Sequence, residues 1–204
     1  MNPACLKWRL LTPAELARVY ETEMCRDFPP SERKPLGLIQ AAEARGSAHT
    51  WGVFAGEELA AYLLMVRPAG CPVSQLDYFA VLPAFRASGL GAQLLAQLPR
   101  QEEGAQAILI EAELPEKAED PAMARRRLGF YARCGAADTG WTEHLFDAWF
   151  QILVLPCPGQ QPPPEEEAVF QLAQCYRLSI SETDWRKFVR FYRPDGSEEG
   201  FGFV

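Results

Sequence analysis

The chain has 204 residues, nearly half of them apolar, which predicts one domain of usual size plus an appendage, with a core that needs no metal or disulfide staples. A formal net charge of -7 argues against a nucleic-acid partner, so an anionic ligand must be held locally, by a loop or a helix N-terminus. No apolar run approaches the ~18 residues of a membrane span, and Met1 to Cys5 open no charged-then-apolar leader, so the expectation is a cytoplasmic protein away from membranes.

Residues 6–11 alternate enough for a first strand. Thr12-Pro13-Ala14-Glu15 then reads as a capping box with proline at the first helical position, opening a helix over residues 13–25 that breaks at Asp27-Phe28-Pro29-Pro30. A second helix over 36–44 stops at Gly46, and strands over 49–55 and 59–66 form a hairpin across Gly56-Glu57-Glu58. A strand over 73–82 ends at Pro83, and Leu90, Leu94, Leu95 and Leu98 mark a helix over 90–98. A strand over 107–114, a helix over 122–134 and strands over 139–146 and 148–155 complete a mixed α/β order with one parallel crossover.

The domain organisation expected is a main domain over residues 1–156, a Pro-rich linker over 157–164 and a small C-terminal helical extension over 165–204. Val169, Leu172 and Tyr176 suit one helix of the extension. Trp185, Phe188, Val189 and Tyr192 suit another, begun by Ser181-Glu182-Thr183-Asp184. Trp185, Phe188 and Tyr192 are expected to bury against the domain or a second copy, which makes a homodimer a candidate assembly. The tail, Gly200 to Val204, is too apolar for an ordinary solvated end. The six cysteines include no CxxC pair, and only His49 and His144 accompany them. Idle thiols and structural histidines are the expectation, with no metal site.

The chemistry sits in Leu76 to Leu95. A strand ends at Pro83, a turn carries Arg86, Gly89 and Gly91, and a leucine-rich helix starts at once. Glycines let backbone approach a ligand, and the N–H groups of the turn and helix start offer a nest for a diphosphate. A dinucleotide-binding fold is the competitor. Gly89-Leu90-Gly91 opens its Gly-x-Gly-x-x-Gly, but position 94 is leucine, although Glu111 lies near where a ribose-binding acid would sit. That fold also needs repeated βαβ units, whereas this chain opens with a hairpin.

Arg86-Ala87-Ser88-Gly89-Leu90-Gly91, set between Ala80-Val81-Leu82-Pro83 and Leu94-Leu95, resembles the coenzyme A pyrophosphate motif of the GNAT family of N-acetyltransferases. Arg126 to Gly135, with Phe130-Tyr131 about 40 residues after the turn, resembles that family's Phe-Tyr-x-x-x-Gly helix, and the element order is similar over roughly residues 6–155. The last signature usually ends Gly-Phe, where this chain has Gly135-Ala136. The resemblance implies the mixed central sheet of the acyl-CoA N-acyltransferases and acetyl-CoA as co-substrate. It assigns Arg86, Ala87, Ser88, Gly89, Leu90 and Gly91 to the pyrophosphate, and backbone of Phe79, Ala80 and Val81 to the pantetheine arm and thioester oxygen. Tyr131 is implied as the acid that protonates the leaving thiolate.

Asp77 is the leading candidate for the base that takes the amine's proton, with Glu111 and Glu113 as alternatives. Gln75, Asp77, Phe79 and Val81 share a strand face. Cys134 has no nearby histidine to activate it as a nucleophile, and Arg125-Arg126-Arg127 reads as a solvated helix face. The acceptor pocket is expected along residues 21–39 and 141–149, where Glu21, Glu23, Asp27 and Glu32 suit a cation. The expected activity is acetyl transfer to a primary amine of a small molecule by direct attack. The alternatives are a non-catalytic acyl-CoA sensor and an enzyme acting on protein amines.

Overall fold

A computed structural model describes residues 6–202; the opening Met1 to Cys5 and the tail residues Phe203 and Val204 lie outside the described residues. The chain forms two compact units. One holds the residues up to Ala69 together with Leu76–Gln93, and the other holds Gly70–Gln75 with the residues from Leu94 on.

In the first unit, β1 (Leu6–Leu10) pairs antiparallel with β2 (Ala48–Ala55), and β2 with β3 (Glu58–Val66). β4 (Val73–Val81) lies next to β3, and its residues from Leu76 on belong to this unit. α1 (Pro13–Val19) starts at the expected capping box: Glu15 N–H donates to Thr12 Oγ1 at 3.3 Å, and Thr12 N–H donates to Glu15 Oε2 at 2.9 Å. The chain stays helical through a wide π turn, Tyr20–Met24, and a last turn, α2 (Cys25–Asp27). It turns extended at Phe28, as the following prolines require. Leu16, Val19 and Met24 face the core with Ile39 and Ala42 of α3 (Leu36–Ala44).

In the second unit, Val73, Ser74 and Gln75 of β4 pair parallel with β5 (Ala107–Glu113). α4 (Leu90–Gln101) supplies the crossover, beginning in the first unit and ending in the second. The strand order runs β4-β5-β7-β6-β8-β9, with β6 (Ala137–Leu145) and β7 (Ala148–Pro156) as an antiparallel hairpin. α5 (Pro121–Arg133) follows β5, and Asp120 caps it by accepting from Ala122 and Met123 N–H. The mixed α/β fold with a C-terminal extension is therefore the one expected.

The extension shares the core of this unit. α6 (Glu165–Tyr176) places Ala168, Val169, Leu172, Ala173 and Tyr176 in one buried cluster with Val73, Leu109, Trp141 and Ile152. The second helix expected there is shorter than its aromatic spacing suggested. α7 (Glu182–Phe188) ends at Phe188, and Val189–Tyr192 is a strand, β8, antiparallel to β6, followed by β9 (Glu198–Glu199). Val189 and Phe191 are buried while Arg190 and Tyr192 are less so, a two-residue alternation that suits a pleat. Trp185 is buried, but Phe188 stays 39% exposed and stacks on Phe146 at 5.3 Å.

Candidate active site

The turn after β4 belongs to the first unit. Leu82 is followed by a single tight turn, Pro83–Phe85, with Phe85 buried as its anchor. Ala87 (φ 60) and Gly89 (φ 80) are both left-handed, on either side of Ser88. Glycine adopts such a φ freely, whereas alanine does so only where its surroundings fix it. The Ser88 hydroxyl donates to Phe85 O at 2.6 Å and helps hold this shape. The first α-helical bond across the helix start runs from Gln93 N to Gly89 O at 3.2 Å, so the N–H groups of Leu90, Gly91 and Ala92 precede the ladder as donors. A Cβ on Gly89 would meet no atom within 4 Å, so open space lies against this backbone. Donors, the positive end of α4 and unobstructed backbone together fit a diphosphate.

The Arg86 side chain ties the turn to its surroundings. Nε donates to Val81 O at 2.8 Å, and Nη2 pairs with Asp27 Oδ1 at 2.8 Å. Asp27 also accepts from Arg26 at 3.1 Å and from Tyr62 Oη at 3.2 Å, so an acid that sequence offered to a cationic acceptor is engaged by arginines and a phenol. Asp77, the sequence candidate for the base, accepts from Lys34 Nζ at 2.7 Å. Next to it, Tyr78 Oη accepts from Lys34 N–H at 2.8 Å and donates to Glu32 O at 2.7 Å. Adjacent β4 residues thus hold the segment before α3.

The remaining candidates belong to the second unit. Tyr131 lies in the last turns of α5, its ring 5.3 Å from that of Phe130. Among the described residues no group hydrogen-bonds its hydroxyl. Burial pushes the phenol up to about 12, with nearby Glu111 acting in the same direction and Arg127 against it. Tyr131 therefore keeps its proton at neutral pH. Glu113 pairs with Arg127, whose neighbours Arg125 and Arg126 are exposed. Burial also raises the Cys134 thiol, which keeps it protonated and disfavours a nucleophilic role. His144 stacks on Trp149 at 4.7 Å, and His49 meets Trp51 edge-on at 5.7 Å.

Glu111 is joined by residues that sequence reading did not assign to chemistry. Gln75 Nε2 donates to Glu111 Oε2 at 2.7 Å, and Tyr176 Oη contacts both Glu111 Oε1 and Glu143 Oε1. Glu143 had no signal beyond being an acid inside a strand, and Tyr176 read only as an apolar helix position. Among the described residues, no group of three or more His, Cys, Asp or Glu side chains is arranged to hold a metal ion, and no helix is long and apolar enough to cross a membrane.

Residues 16–136, more than half of the chain, match the Acetyltransferase (GNAT) family. A GNAT-family protein from Bacteroides thetaiotaomicron has a similar structure, with a TM-score of 0.65 at 19% identity, over 86% of this chain and 99% of that one. The ribosomal-protein-S18-alanine N-acetyltransferase from Escherichia coli is similar at a TM-score of 0.58 and 16% identity, over 78% of this chain and 97% of that one. Spermidine N-acetyltransferase from Vibrio cholerae, solved with CoA and spermine, is similar at a TM-score of 0.56 and 11% identity, over 74% and 95%. No curated protein matches the sequence. The chain belongs to the GNAT family of acetyltransferases.

Proposed function

We propose that this chain is an acetyl-CoA-dependent N-acetyltransferase that acetylates a primary amine of a small molecule by direct attack. The observation that carries this reading is the turn, in which Ala87 and Gly89 are left-handed, the start of α4 offers free N–H groups, and Gly89 faces open space. In this reading Ala87, Ser88, Gly89, Leu90 and Gly91 hold the diphosphate through backbone N–H groups. Arg86 braces the turn through Val81 O and Asp27, and its guanidinium, half exposed, adds positive charge there. Backbone of Phe79, Ala80 and Val81 holds the pantetheine arm and polarises the thioester oxygen.

Acetyl-CoA, when bound, supplies an acetyl group activated as a thioester. Tyr131 is suited to protonate the departing sulfur, since its phenol is protonated at neutral pH and no group among the described residues hydrogen-bonds its hydroxyl. For the amine's proton we assign Glu111 rather than Asp77. Asp77 is held by the Lys34 ammonium, which occupies the carboxylate, and Glu113 is held by Arg127. Glu111 is half-buried and, through Tyr176, sits beside a second carboxyl, Glu143.

The test is thiol release from acetyl-CoA in the presence of small primary amines, with peptides bearing a free N-terminus or lysine run alongside. The expected result is release with a small amine. Release with peptides alone would move the acceptor to protein. Tight coenzyme A binding without release from any amine would make the chain a sensor.

A further inference from the structure

Four polar side chains from four elements meet inside the second unit: Gln75 of β4, Glu111 of β5, Glu143 of β6 and Tyr176 of α6. Tyr176 Oη donates to Glu143 Oε1 at 2.6 Å and also contacts Glu111 Oε1. Glu143 is 0% exposed, and Gln75 and Tyr176 are each 1% exposed, whereas Glu111 keeps partial access to solvent. Around the two carboxyls the pairing strands are apolar. Glu111 lies opposite Ile152 of β7, and Glu143 opposite Phe150 of β7 and Phe191 of β8. Among the described residues, Tyr176 from α6 bears on the pair, and Tyr131 from α5, itself under the influence of Arg127, lies near Glu111.

The proton count in this cluster is constrained. A phenol has one proton and satisfies one acceptor at a time, yet Tyr176 contacts an oxygen of each carboxyl. With its own proton given to Glu143, Tyr176 Oη can meet Glu111 Oε1 only if a second proton lies there, and two carboxyls gathered on one phenol oxygen favour holding one proton between them. Independently, Glu143 Oε2 and Gln75 Oε1 are buried without a hydrogen-bond partner, so the cluster is rich in acceptors and short of donors. Burial first, and then Glu111, push the Glu143 carboxyl well above the usual carboxylate range, in agreement with the count.

We infer that Tyr176, supplied by the C-terminal extension, is a positioning residue for acyl transfer: it clamps Glu111 against Glu143 so that the two carboxyls share one proton and together accept the proton lost by the amine. This rests on the acetyl-transfer reading above. As the new C–N bond forms and the C–S bond breaks, the amine nitrogen gives a proton to the pair through Glu111. That takes the pair from one negative charge to none. Tyr131 gives a proton to the departing sulfur. Exchange with solvent then returns a proton to Tyr131 and removes one from the pair.

The experiment compares pH–rate profiles of wild type, Tyr176→Phe and Glu143→Gln with one small amine, alongside infrared spectra of the three proteins. The base works deprotonated, so a higher pKa moves the rising limb to higher pH. Tyr176→Phe removes a donor that stabilises the charged pair, and its limb should move up by about one pH unit, roughly tenfold less rate on the acid side. Glu143→Gln removes the like charge, and its limb should move down by about as much. A general loss of packing would not shift the two variants in opposite directions. The KM for acetyl-CoA should be unchanged in both. The wild type should show the carbonyl band of a protonated carboxylic acid at neutral pH, and Glu143→Gln should lack it. Should Glu143→Gln fail to fold, the Tyr176→Phe limb and the wild-type band decide. Limbs that stay put, limbs that move together, or a missing wild-type band would overturn the inference. A band that is present while no amine releases thiol would sink the acetyl-transfer reading and leave the shared proton supported.

Discussion

The turn at Ala87 to Gly91 and the cluster around Glu111 meet opposite electrostatic demands. The turn gathers donors, does so with backbone, and leaves them open to an incoming anion. The cluster gathers acceptors, does so with side chains from four elements, and buries three of its four members. A backbone nest depends on shape, so it should fail abruptly when φ or open space is lost. A carboxyl pair depends on where protons sit, so it should fail gradually, by shifts along the pH axis.

The largest effect expected is at the turn. Gly89→Trp puts a large L side chain at φ 80 and fills the open space, so calorimetry should show coenzyme A binding lost while thermal unfolding stays cooperative. Near wild-type affinity in that variant would take the turn out of the account. Next is Tyr131→Phe, for which kcat should fall by roughly 10²- to 10⁴-fold with acetyl-CoA affinity little changed, because the hydroxyl acts mainly in the transition state. With the wild-type phenol pushed up to about 12, loss of its proton should not lower the wild-type rate anywhere near neutral pH. Full activity in the variant would assign thiolate protonation to solvent.

Stability probes sharpen the other side of the comparison. Leu172→Ala on α6 should cost about 2–5 kcal/mol in denaturant unfolding, since Leu172 is fully buried in the core that the extension shares with β5 and β7. A chain ended at Leu155 should aggregate or unfold, and an equally stable, fully active truncation would make the extension a passive tail. Asp77→Asn should leave both the rate and the rising limb within a few-fold of wild type, because the pair with Lys34 braces a loop. A vanished limb would restore Asp77 as the base. The smallest effect concerns Glu15, held down to about 2 first by Arg9 and then by Thr12. A depressed carboxyl stabilises the fold above its ordinary pKa, so this contribution should fade as pH falls from about 4.5 to about 2 and be absent from the acid unfolding curve of Glu15→Gln.

Much of the fold was legible because its signals are local. The capping box at Thr12, the strand stop at Pro83 and the leucines of α4 each act over a few residues. The turn was legible for the same reason, except for the left-handed Ala87, which no side-chain type announces. Val189 to Tyr192 was misread because aromatics at 185, 188 and 192 fit a helical period. The alternation of Val189 and Phe191 with Arg190 and Tyr192 was the competing signal, and pairing with β6 decides it. The carboxyl cluster was not legible at all. Gln75 and Glu111 are 36 positions apart, and Glu111 and Tyr176 are 65 apart, so only the folded sheet and α6 bring them together. Likewise, the ion pair of Asp77 with Lys34 was not legible, because the two lie 43 positions apart.

The most direct test of the central claim is product stoichiometry. The protein would be incubated with acetyl-CoA and a panel of small primary amines, and free thiol and N-acetylated amine quantified together by mass spectrometry. The two products should appear one for one with at least one amine, and both should disappear in Gly89→Trp. Thiol without acetylated amine, or acetylated amine at the same level without the protein, would contradict it.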